Sequence, residues 1–185
     1  MTGEFTIRPG GPDDLETLLT MFDDAVAWLV AQGRTGQWGT EPFSTIPRRR
    51  DSAQDLATSG GLHLAEIDGR PAGALVVTEQ PFEHIPAVDE RELYVRLLLT
   101  AREFTGHRVG GRLLDHARAI AGERGIGLLR VDCWAGGDGR LVAYYTGQGF
   151  TPTEQFTVRD WTGQVLAQRL EHPGNHRDAV TSHNS

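Results

Sequence analysis

Apolar and polar positions along the chain change period several times. After Asp13 and Asp14, the apolar residues Leu15, Leu18, Leu19, Phe22, Val26, Leu29 and Val30 keep helical spacing, which predicts a helix ending near Gly33. A short strand over 5–8 precedes it and is stopped by Pro9-Gly10-Gly11-Pro12. Residues 47–58 are helical in pattern and end before Gly60-Gly61. Residues 62–67 and 72–78 are strand-like around Asp68-Gly69, a hairpin signal. Strict alternation over 93–100 places Leu93, Val95, Leu97 and Leu99 on one face and Tyr94, Arg96, Leu98 and Thr100 on the other. A glycine-bearing turn, 105–111, then enters an amphipathic helix with Leu113, Leu114, Ala117, Ile120 and Ala121 on its inner face, stopped at Gly125. Residues 128–134 form the next strand, and a short helix opens at Asp138 and closes at Gly149. A last antiparallel pair, 156–161 and 165–170, turns at Thr162-Gly163. The predicted order β-α-α-β-β-β-α-β-α-β-β is an α/β (α+β) chain with a mostly antiparallel sheet.

Composition narrows this picture in a few places. A chain of 185 residues is long enough for one substantial core, so residues 1–171 are expected to form one domain. Residues 172–185 are polar and expected to be a disordered tail. No apolar run has the length of a membrane span, and the opening MTGEFTIRPGG has no signal-like core, so a cytoplasmic protein is expected. The single cysteine, Cys133, lies on a predicted strand and reads as a core thiol; it allows no internal disulfide, and no Cys/His pair has zinc-ligand spacing. A net charge of −7 argues against nonspecific nucleic-acid binding. All 18 basic residues are arginine.

The turn Thr105-Gly106-His107-Arg108-Val109-Gly110-Gly111 is the first candidate for chemistry. A helix start leaves several backbone N–H groups unpaired and carries partial positive charge, which suits phosphate. Glycines at 106, 110 and 111 let a ligand approach those groups, and His107 and Arg108 add donors beside them. Taken alone this is a common arrangement.

Together with the run LLRVDCWAGGDGRLVAYYTGQGF over 128–150, the turn resembles the GCN5-related N-acetyltransferase family. That family's signature, Gln/Arg-x-x-Gly-x-Gly/Ala followed by two leucines, reads here Thr105-Gly106-His107-Arg108-Val109-Gly110 with Leu113-Leu114. Its Tyr-x-x-x-Gly-Phe reads Tyr145 to Gly149-Phe150. Thr105 stands in place of Gln or Arg, Arg108 in place of the middle glycine, Asp138 in place of asparagine and Leu141 in place of alanine. Thr105 and Asp138 are both able to cap a helix.

The resemblance implies splayed central strands holding acetyl-coenzyme A as acyl donor and a primary amine of a small molecule or protein as acceptor, with a homodimer as a further option. It implies cofactor contacts at Leu98, Leu99, Thr100, Thr105, Gly106, His107, Arg108, Val109, Gly110, Gly111 and Asp138. Backbone N–H groups near Leu98 to Thr100 would polarise the thioester carbonyl, and Tyr145 would protonate the leaving thiolate. A carboxylate is expected to take the ammonium proton, and Glu92 is nearest to the family's position; Asp89, Glu90 and Asp132 are other candidates. Trp38 and Phe43, on an unpatterned aromatic loop, are expected at the acceptor. Tyr144 and Tyr145 point about 100° apart on a helix, so only one is expected to face the pocket. A coenzyme A-binding module without turnover, or transfer of a different acyl group, are the alternatives.

Overall fold

The fold is a computed structural model and describes residues 3–171. The tail expected over 172–185 lies outside the described residues. Seven strands and four α-helices alternate: β1 (Phe5–Pro9), α1 (Leu15–Ala31), α2 (Pro47–Thr58), β2 (Leu62–Ile67), β3 (Arg70–Thr78), β4 (Leu93–Thr100), α3 (Val109–Glu123), β5 (Leu128–Trp134), α4 (Arg140–Gly147), β6 (Thr151–Val158) and β7 (Trp161–Arg169). The sheet order is β1-β2-β3-β4-β5-β7-β6. Its one parallel pair, β4 with β5, is the pair joined by a helical crossover, α3. The remaining neighbours are antiparallel, as the sequence pattern predicts.

Helices cover both faces. Leu18, Leu19 and Phe22 of α1 and Ala53 and Ala57 of α2 pack with Leu64, Ala74, Val76, Leu97 and Leu99 on one face. On the other, Leu113, Leu114, Ala117 and Ile120 of α3 pack with Leu93, Val95, Leu129 and Val131, and Tyr145 of α4 joins the same cluster. The expected alternation along β4 is therefore broken. Val76 of β3 stands opposite Leu97 and Val77 opposite Val95, so Arg96 is the extra residue of a bulge. The bulge turns Leu97 and Leu99 toward α1 and leaves Leu98 packed on the α3 side.

Two hairpins show where turn signals hold and where they mislead. Ile67 pairs with Arg70, and the two loop residues, Asp68 at φ 51 and Gly69 at φ 75, both take the positive φ that such a tight loop needs. The last hairpin turns at Arg159 and Asp160, with Val158 opposite Trp161, and not at Thr162-Gly163. Gly163 is a strand residue whose missing side chain makes room for a ring: a Cβ there would lie 2.2 Å from Phe156 Cζ.

Candidate active site

β4 and β5 pair only over Leu93–Leu129, Tyr94–Arg130 and Val95–Val131. Beyond the bulge the two strands part, so residues 97–100 face β5 without a partner strand. A cavity of about 630 Å³ occupies the gap. Leu99, on the α1 face, and Leu98, on the α3 face, both line it, so it passes through the sheet from one layer of helices to the other.

On the α3 side the cavity meets the helix start. Arg108 is the N-cap of α3, in left-handed backbone at φ 55, and no side chain caps the helix. The N–H groups of its first turn thus remain available to a ligand. A Cβ at Gly110 would lie 2.3 Å from the Tyr144 hydroxyl, so glycine there lets α4 close on α3. A Cβ at Gly106, at φ 94, would meet nothing within 4 Å, so the turn is open. Thr105, Gly106, Arg108, Val109, Gly110, Gly111, Asp138 and Arg140 line this end. Unpaired N–H groups, two guanidinium groups and an open glycine turn are the donor set that a diphosphate requires, and acetyl-coenzyme A fits it.

The remaining predicted cofactor contacts divide. Thr100 lines the cavity, with its Cγ2 close to Gly110. His107 does not: its Nδ1 lies 3.0 Å from the Phe104 carbonyl and its ring stands edge-on to Phe104. Thr105 caps no part of α3, because its hydroxyl donates to the Arg102 carbonyl at 2.7 Å. Asp138 lies one residue before the N-cap of α4, Gly139; its carboxylate accepts from the Arg140 N–H at 3.2 Å and from Arg140 Nε at 2.7 Å.

Both tyrosines reach the cavity, contrary to the one-or-the-other expectation. Their rings are 5.2 Å apart at 77°, one deep and one at the mouth. Tyr145 is buried edge-on against Phe150, and its hydroxyl makes no hydrogen bond among the described residues. Burial, with the neighbouring Cys133, Tyr144 and Asp132, pushes its pKa far up, so the phenol keeps its proton. Tyr144 is about two-fifths exposed beside Gly110, and burial of the remainder raises its pKa too. Cys133 is the core thiol expected, pushed up to about 12 chiefly by burial.

The carboxylate and acceptor expectations also separate. Glu92 is not brought to the cavity. It is 3% exposed and both its oxygens accept from Arg130, at 2.5 and 2.9 Å, while Arg130 also donates to the Pro86 carbonyl. Both carboxylate oxygens are thus occupied by one buried guanidinium. Asp89 and Glu90 are exposed, and Glu90 pairs with Arg169. Asp132 follows Val131, the last β5 residue paired with β4. The Tyr94 hydroxyl donates to its Oδ1 at 2.5 Å, and burial holds its pKa above the usual carboxylate value. Trp38 lines the cavity, edge-on to Phe22 and Phe43. Phe43 does not; it stacks on Phe22 at 4.2 Å and ties the loop to the core. Sequence reasoning missed Trp28, Arg34, Arg102, Trp134 and Gln148, which all line the cavity. One signal was available: Trp28 is a large aromatic lying off the apolar stripe of α1.

Among the described residues, no helix is long and apolar enough to cross a membrane and no acidic, His or Cys cluster could hold a metal. The sheet is open, and its one parallel pair parts beside an uncapped helix start. The chain belongs to the acetyltransferase (GNAT) family, whose model matches residues 23–150. It is therefore an acetyltransferase. Solved structures share the fold. A GNAT-family acetyltransferase from Listeria monocytogenes matches at TM-score 0.69 and 19% identity, over 92% of this chain and 99% of that one. A ribosomal-protein-alanine N-acetyltransferase from Brucella melitensis matches at 0.60 and 21%, over 89% and 99%. The Salmonella typhimurium protein yncA, solved with its cofactor acetyl-coenzyme A, matches at 0.58 and 16%, over 95% and 99%. A search of curated proteins gives no match.

Proposed function

We propose that residues 1–171 act as one cytoplasmic N-acetyltransferase domain that moves an acetyl group from coenzyme A to a primary amine of a small molecule or protein. One observation carries the reading: the α3 start, the parted strands and Tyr145 share a single cavity lined from both faces of the sheet. The donor's diphosphate lies on the 105–111 turn, and its acyl end reaches the gap between β4 and β5. There the N–H groups of residues 98–100 polarise the thioester carbonyl.

An alkylammonium with pKa near 10.4 costs about 4.6 kcal/mol to deprotonate at pH 7. We assign that proton to Asp132 acting through water, since Asp132 itself does not line the cavity. Its position at the parting of the strands and its raised proton affinity support the assignment over Glu92, whose oxygens both bond Arg130. Tyr145 donates to the leaving sulfur. With its pKa raised, the phenol stabilises the thiolate by hydrogen bonding ahead of any full transfer.

An amine screen with mass-spectrometric detection of the acetylated product tests the activity. Within it, Tyr145→Phe is expected to lower kcat about 10²–10⁴-fold, the range for general acid–base help, with Tyr144→Phe much milder. Small and equal losses in both would remove Tyr145 from the acid role.

A further inference from the structure

The cavity holds a second group of cations, set against α1. Arg102, two residues after β4, turns toward α1, and its guanidinium carbon lies 3.5 Å from the centre of the Trp28 ring. Arg34, on the loop after α1, lies 5.8 Å from the same ring. All three line the cavity. Burial and the charge of Arg34 lower the pKa of Arg102, the mark of two cations held together.

Many of the chain's arginines pair with carboxylates, as at Arg8, Arg70, Arg91, Arg118, Arg130 and Arg169, while others, Arg48, Arg96 and Arg112 among them, have no ion pair among the described residues. Arg102 has no ion-pair partner among the described residues. The carboxylate near Arg34, on Asp138, is 4.0 Å away and is bonded more closely by Arg140, at 2.7 Å. Two neighbouring guanidinium groups in the cavity thus share a single carboxylate, 4.0 Å from Arg34 and held more closely by Arg140. A guanidinium lying over an aromatic ring keeps its in-plane N–H fork free, and that fork fits a carboxylate or phosphate.

We infer that Arg34 and Arg102, set against Trp28, bind an oxyanion group carried by the acceptor, so that the acceptor is an amine that also bears a carboxylate or phosphate. This deepens the N-acetyltransferase reading and rests on it. The anion could also come from the donor's own phosphates. The acceptor is favoured because Trp28 belongs to α1, which packs on the sheet face opposite α3 and its phosphate-binding start.

The test uses the full chain saturated with coenzyme A and titrates matched pairs by calorimetry: L-phenylalanine against 2-phenylethylamine, L-glutamate against 4-aminobutyrate, and O-phosphoethanolamine against ethanolamine. The member bearing the additional acid group is expected to bind about 10-fold or more tightly in at least one pair, as expected for a charge-assisted bond. Arg34→Gln and Arg102→Gln should bring that preference to about twofold or less, and Arg102→Lys should restore part of it. Arg34 lies on a loop, so its variant remains informative if Arg102→Gln fails to fold. No preference in the parent protein overturns the inference. So does a preference that survives both variants while coenzyme A itself binds about 10-fold more weakly, which would give the site to the donor; comparison with 3′-dephospho-coenzyme A would then identify which phosphate. Failure of the parent reading looks different: the acid-bearing amine binds, but no thiol is released from acetyl-coenzyme A.

Discussion

Arg108 is the residue at which the sequence departs furthest from its family's pattern, and its backbone gives the reason glycine is usual there. At φ 55 it pays a left-handed penalty of about 1–2 kcal/mol, which glycine avoids at the cost of more freedom in the unfolded chain. Arg108→Gly is thus expected to stabilise the fold by about 0.5–1 kcal/mol, raising Tm by roughly 1–4 °C. The same change removes a cation from the diphosphate end of the cavity. Calorimetry should show acetyl-coenzyme A binding weakened by about 1.5–3 kcal/mol, the range for hydrogen bonds to charged groups. Tighter binding would make the side chain an obstruction. The opposite signs make Arg108 a position where strain is kept for a ligand.

At the scale of elements, what the sequence made legible followed from period. Helix 47–58 and strands 62–67, 93–100 and 128–134 were read with the bounds observed, because continuous apolar or alternating runs are local signals. Three features were hidden because they depend on partners distant in sequence. The bulge at Arg96 is a mismatch between β3 and β4, so no pattern within β4 announces that its faces exchange. Gly163 looked like a turn because nothing in the sequence shows the Phe156 ring lying against it. Glu92 looked like a free carboxylate until Arg130, 38 residues away, closed on it. The diphosphate end of the cavity was legible from its glycines, but the α1 side, assembled from Trp28, Arg34 and Arg102, was not. The aromatic loop after α1 was read half correctly, and its two rings should behave differently. Trp38→Ala, at the cavity wall, is expected to raise the acceptor KM while leaving acetyl-coenzyme A affinity nearly intact. Phe43→Ala removes a half-buried ring stacked on Phe22, and should cost about 2–4 kcal/mol in denaturant unfolding with little change in acceptor KM. The reverse pattern would place Phe43 at the substrate and Trp38 in the core.

Across the whole molecule, the helix that presents the diphosphate site is tied to the sheet at a point that responds to pH. His116 of α3 lies with Nε2 3.2 Å from Nδ1 of His63 on β2, the rings edge to face, so the contact holds one proton comfortably and two only with repulsion. Burial, the His116 ring and the Arg124 charge at the end of α3 lower the pKa of His63 below 6.5. The unfolded chain then takes up its proton first. Stability from this group is complete above about pH 6.5 and is lost as pH falls through that value toward the folded pKa. Asp132 runs the other way: its raised pKa means the folded state binds a proton before the unfolded chain does, which adds stability as acid is added. A single pH profile therefore mixes opposing signs, and the useful quantity is a difference. Urea unfolding at pH 7.5 and 5.5 should show a smaller acid loss in His63→Phe than in the parent, since the variant removes the titrating ring and keeps an aromatic at the contact. In a profile carried further down toward pH 4, Asp132→Asn should show a larger acid loss than the parent. An acid response unchanged in His63→Phe would remove this contact from the pH dependence of the fold.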